Sequence, residues 1–136
     1  MDRPLHLDRT LDELDPPRWP DPDDATGLVR TVHGLRRVPL GRLGPADLRV
    51  LVTQQVAPTR ILPLAVRLLV GEPLLDARFY GGDLLLAAVG APASAWEVLP
   101  DDAARLREVV RALTPAEVAG LPRGAAGQLA RFCARP

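Results

Sequence analysis

The stretch 59-TRILPLAVRLLVGEPLLDARFYGGDLLLAAV-89 decides the fold, because it holds the densest apolar sequence in the chain. Ile61, Leu62, Leu64, Ala65, Val66, Leu68, Leu69 and Val70 leave only Arg60 and Arg67 as polar positions before the break at Gly71-Glu72-Pro73. A helix written this way is apolar nearly all round and belongs in a core. Leu74-Leu75 and the segment 79-FYGGD-83 follow, and then a second apolar run over residues 84–89. The pattern predicts a helix, an ordered loop and a second buried helix.

On the N-terminal side, Thr10-Leu11-Asp12-Glu13 has the form of a capping box, in which hydroxyl and carboxylate each take an orphan backbone N–H. Pro16-Pro17 ends that turn of helix, and residues 18–22 are expected to be extended, with Trp19 as a flat packing anchor. Asp23 or Asp24 can cap a helix whose apolar stripe is Leu28, Val29, Val32 and Leu35, leaving Arg30, Arg36 and Arg37 off it. His33 beside the stripe reads as a half-buried packing residue. Gly44-Pro45-Ala46-Asp47 opens another helix, which continues through Leu48, Leu51, Val52, Gln55 and Val56 to a stop at Pro58.

On the C-terminal side, Ser94 to Leu99 carries Trp96, and Pro100-Asp101-Asp102 opens an amphipathic helix facing inward through Leu106, Val109, Val110 and Leu113. Thr114-Pro115-Ala116-Glu117 repeats the capping grammar for a short helix ended by Gly120. Residues 122–134 form the last helix, docking through Leu129 and Phe132. With one Ile and no β-branched alternation, strands are not expected. The expectation is an all-α, compact single-domain bundle of about six helices, in which residues 1–24 are an acidic, partly extended segment and 25–136 the helical core.

At 136 residues the chain can bury roughly two-thirds of its unfolded surface without staples. Cys133 is the sole cysteine, so no internal disulfide forms, and no His/Cys cluster has metal-ligand spacing. No metal or cofactor is expected. The N-terminus lacks the basic head and apolar core of a signal peptide, and both apolar runs fall short of the about 20 residues that a membrane span needs. A soluble, cytoplasmic protein with no membrane partner follows.

All 17 basic residues are Arg and are balanced by 17 acids. That balance, with no nucleic-acid motif, argues against nucleic acid as a partner. The charge is nevertheless uneven. Residues 1–24 hold eight acids against three Arg, a net of −5, whereas residues 25–71 hold seven Arg against Asp47 alone, a net of +6.

No phosphate-cradling loop, zinc helix or nucleophile elbow is present. Ser94 is the only serine, His6 and His33 have no evident partner, and Cys133 lacks the electropositive surroundings that activate a thiol. The enzymatic reading left is an acid/base pair of Asp76 and Asp83 in the loop between the two buried helices. For Asp83 the plainer reading is a cap on the helix that follows Gly81-Gly82. A third reading is a helical regulator that touches nucleic acid through Arg30, Arg36, Arg37 and Arg42.

A series of short pieces in fixed order carries a resemblance: TLDEL at 10–14, WP at 19–20, LVRTVH at 28–33, LRR at 35–37, PL at 39–40, DLR at 47–49, Gln54 or Gln55, LPLA at 62–65, EPL at 72–74 and FYGGDLL at 79–85. In this order the chain resembles the immunity proteins of contact-dependent growth inhibition systems, from about residue 10 to Trp96. Two places depart from the family's pattern: Ala57-Pro58-Thr59-Arg60 replaces a Gly-Leu-aromatic run, and Tyr80-Gly81-Gly82-Asp83 replaces Tyr-Pro-Gly-Asp. The resemblance implies a small cytoplasmic protein that binds a cognate toxin domain, blocks it and performs no chemistry.

Many toxins of this kind act on nucleic acids through basic clefts, so the resemblance also implies an inhibitor that presents carboxylates. Two acidic sets could do so: Asp15, Asp21, Asp23 and Asp24, and Asp76 with Asp83, beside Phe79 and Tyr80. The ordinary reading of the two aromatics is core packing, and that of the Asp run is a solvated, capping segment.

Overall fold

The computed structural model describes residues 5–14 and 27–134. Among these residues the chain forms nine α-helices and no strand: α1 (Leu11–Leu14), α2 (Gly27–Leu35), α3 (Pro45–Thr53), α4 (Pro58–Gly71), α5 (Asp83–Val89), α6 (Ala93–Glu97), α7 (Pro100–Arg111), α8 (Pro115–Ala119) and α9 (Ala125–Ala134). The fold is therefore all-α. The count exceeds the expected six because α1, α6 and α8 are helices of four or five residues.

The core is built where the apolar sequence is densest. On α4, Ile61, Leu62, Pro63, Leu64, Ala65, Val66 and Leu69 are buried, and on α5 Asp83, Leu84, Leu85, Leu86, Ala88 and Val89 are. α3 packs on both, α7 on α4, and α9 on α5 and α7. Pro63 lies inside α4 and removes the N–H that would have bonded the Thr59 carbonyl, but its ring is buried in the core. The helix is not buried on every side: the apolar Val70, in its last turn, is 55% exposed.

Local capping holds at Thr10, Gly44 and Thr114, where the sequence places it. The Glu13 N–H donates to Thr10 Oγ1 at 3.3 Å and the Thr10 N–H to Glu13 Oε1 at 3.2 Å. The same box closes at Thr114 and Glu117, with distances of 2.8 and 3.1 Å. At α3 the Gly44 N–H donates to the Asp47 carboxylate at 2.9 Å. Trp96 is a core residue whose indole N–H donates to the Ala88 carbonyl at 3.1 Å and whose ring meets Phe132 edge-on, 5.5 Å between centroids.

Four local expectations are corrected. α3 ends at Thr53, before Gln55 and Val56, because Gln55 and Ala57 take left-handed backbone (φ 56° and 41°) to turn the chain into α4. The last helix starts at Ala125, since Gly124 at φ 89° interrupts the helical path. In α2 only Val32 of the supposed stripe is fully buried, while Leu28 and Val29 are 47% and 40% exposed. Arg36 does not point away from the core but is its largest fully buried side chain, with Nε 3.1 Å from Asp12 Oδ1. That ion pair and the Asp12 N–H to the Arg36 carbonyl (3.0 Å) dock α1 against the end of α2, with Arg37 3.6 Å from the other Asp12 oxygen. The expected cap at Asp23 or Asp24 and the extended segment with Trp19 lie outside the described residues.

Candidate functional site

The break Gly71-Glu72-Pro73 ends α4, and the chain folds back on itself before α5. Residues 72–82 form a tight hairpin-like loop, with a single antiparallel bridge between Asp76 and Gly81 and a Gly82 N–H to Leu75 carbonyl bond of 3.2 Å. Gly82, at φ 96°, makes the turn into α5 and packs so close to Leu121 that a Cβ there would lie 2.5 Å from Leu121 Cδ2. Only glycine adopts this backbone without strain.

Asp83 organises the loop. Its side chain is fully buried, yet it is not the N-cap, which is Gly82. Instead the carboxylate turns back: Oδ1 accepts from the Ala77 N–H at 2.8 Å, and Oδ2 accepts from the Arg78 N–H at 3.1 Å and the Phe79 N–H at 3.0 Å. Arg49 of α3 approaches Oδ2 with its Nε at 3.6 Å, an ion pair beyond hydrogen-bond length. Burial is the largest single influence on the carboxyl and acts to raise its pKa. The N–H groups of Phe79, Ala77, Arg78 and Leu84 together act the other way and hold it below its ordinary value.

This arrangement settles what the loop presents. Phe79 is not a core residue: at 61% it is the most exposed large apolar side chain among the described residues, and Tyr80 is 36% exposed. The Arg49 guanidinium carbon sits 4.5 Å from the centre of the Phe79 ring and that of Arg78 5.5 Å, so two cations lie against the phenyl ring. Asp76 is exposed in the same loop. The Asp76 and Asp83 carboxylates are thus not equivalent members of an acidic surface, because Asp83 is enclosed and its oxygens are taken up by backbone donors. Asp15, Asp21, Asp23 and Asp24 lie outside the described residues. The sequence reading did not bring Arg49 to the Phe79 ring, since nothing local ties a residue of α3 to a ring 30 positions further on.

A second concavity, of about 620 Å³, lies between α4 and the start of α7 and is lined by Val66, Arg67 and Val70 on one side and Val98, Asp101 and Arg105 on the other. Among the described residues no group of three His, Cys, Asp or Glu side chains is placed to hold a metal ion, and no helix is long and apolar enough to cross a membrane. Cys133 is half-buried, its sulfur 4.0 Å from the Arg107 carbonyl.

The fold and loop together define a small all-α protein whose most exposed aromatic among the described residues is held in place by a buried carboxylate. A family model described as CDI immunity proteins matches residues 13–106, and the chain belongs to that family. The match takes in α2 to α6, the loop and half of α7, and leaves α8 and α9 outside it. No curated protein and no solved structure matches the chain.

Proposed function

We infer that this chain is a cytoplasmic, single-domain immunity protein that binds one cognate contact-dependent growth inhibition toxin domain and neutralises it by occupying its surface, without catalysing a reaction. The observation that carries this reading is membership of the immunity family over residues 13–106. The competing enzymatic reading needs Asp83 to exchange protons with a substrate. A carboxylate with no solvent exposure and three backbone N–H donors is poorly suited to that. The competing nucleic-acid reading needs Arg36 at the surface, and it is buried against Asp12.

Co-expression with the toxin domain encoded beside this chain tests the function. Cells should survive when both are made, and equal killing with and without this chain would sink the reading. If the toxin is a nuclease with a basic cleft, the negative charges of Asp15, Asp21, Asp23 and Asp24 would steer the encounter. Charge reversal at Asp21, Asp23 and Asp24 should then slow association at low salt and leave stability nearly unchanged. An association rate indifferent to both salt and those substitutions would remove the run from the interface.

A further inference from the structure

We propose that Phe79, bordered by Arg49 and Arg78, is the anchor through which this chain grips its toxin, and that the toxin face it enters is an apolar pocket rimmed by carboxylates. This rests on the toxin-binding reading above and adds the chemistry of the contact. A lone exposed apolar side chain needs no explanation. Phe79 differs because the fold commits a buried carboxylate to the loop that carries it. Three N–H bonds of 2.8 to 3.1 Å fix the backbone at Ala77, Arg78 and Phe79, and Gly82 locks the turn against Leu121. Packing of the ring itself does not call for such bracing, since the ring is 61% exposed.

An aromatic already fixed in position loses little conformational freedom on association, and aromatic and Arg side chains clustered in a desolvated centre dominate binding energy. The charge of that centre follows from which groups reach the surface. The Asp83 carboxylate is enclosed, whereas the guanidinium groups of Arg49 and Arg78 lie 4.5 and 5.5 Å from the Phe79 ring. A pocket that closes over the ring must therefore supply acceptors to the exposed Arg78 guanidinium, beside a half-buried Arg49 whose charge is shared with Asp83 at 3.6 Å, and a basic cleft offers none. Asp76 is exposed in the same loop, and neither of the two groups against the ring is acidic. The groove between α4 and α7, with exposed Val70 and Val98, has no comparable bracing and serves as the control.

The test is calorimetric titration of the full chain with the purified toxin domain encoded beside it. Phe79→Ala should weaken binding by about 30-fold or more, the effect of losing an interface hot spot, with an unchanged melting temperature. Arg78→Glu should weaken binding more than Arg78→Gln, because it places a carboxylate against carboxylates. Val70→Ala should bind as the parent does. Parent-like binding by Phe79→Ala, or tighter binding by Arg78→Glu, overturns the proposal while leaving the immunity reading standing. Absence of binding and of protection by the parent chain overturns both.

Discussion

Replacing Asp83 with Ala removes the one acceptor shared by three backbone donors, and the loss can be estimated from the contacts. Two of the N–H groups meet Oδ2 at 3.1 and 3.0 Å and one meets Oδ1 at 2.8 Å, with Arg49 alongside at 3.6 Å. A hydrogen bond to a charged group contributes about 1.5–3 kcal/mol, and removing one member of a buried ion pair costs about 3–5 kcal/mol. The loop lies at the surface, so water can reach some of the freed donors and the lower part of that range applies. We expect Asp83→Ala to cost about 3–4 kcal/mol, a large fraction of the about 5–15 kcal/mol typical of a domain. Asp83→Asn keeps one acceptor oxygen and should cost about 2 kcal/mol.

Urea unfolding followed by helical circular dichroism and by Trp fluorescence reads these values directly. The effect should also depend on pH. Because the folded carboxyl is held below its ordinary value, its contribution is complete above the unfolded pKa of about 4 and is lost as pH falls through the lower folded value. The gap between parent and Asp83→Asn should thus be full at pH 7 and narrow progressively below about pH 4. A change under about 1 kcal/mol in Asp83→Ala at pH 7, or a gap that widens in acid, would refute the account of Asp83 as a buried, ionised brace.

Three further outcomes are expected. Leu64→Asp buries an unpaired carboxylate in α4, where Leu64 is 6% exposed, and should abolish the cooperative unfolding transition. Gly82→Ala combines a φ of 96° with a contact to Leu121 and should cost about 1–2 kcal/mol, of which the double variant with Leu121→Ala recovers a part in a denaturation cycle. Arg36→Ala removes the buried partner of Asp12 at 3.1 Å but leaves Arg37 at 3.6 Å, so it should cost about 3 kcal/mol, the lower end for breaking a buried pair, with protease cleavage entering first near α1.

What the sequence made legible was local. The runs in α4 and α5 are long enough that burial on nearly every side follows from composition alone, and both are buried. The boxes at Thr10 and Thr114 were readable because their partners lie three residues apart. What escaped was set by contacts that no short window contains. Arg36 looks like a surface residue until α1 brings Asp12, 24 positions away, against it. A periodic stripe on α2 says which residues share a face but not what covers that face, so Leu28 and Val29 were misplaced. Asp83 satisfied the local rule for a helix cap. Its actual partners, the N–H groups of residues 77–79, leave no mark in the sequence because every residue but proline carries one.

That last property bears on how such a loop can change over generations. The brace recognises main chain, so it is blind to the side chains it displays. Arg78 and Phe79, both exposed, can be exchanged for nearly any amino acid with the hairpin keeping its shape, while proline at either position would delete a donor and is forbidden. The fold thereby separates the address written on the loop from the frame that holds it. If the toxin is gripped through Phe79 and Arg78 as proposed above, a lineage facing a new one can rewrite these two positions one at a time without passing through an unfolded ancestor, provided the aspartate behind them stays in place.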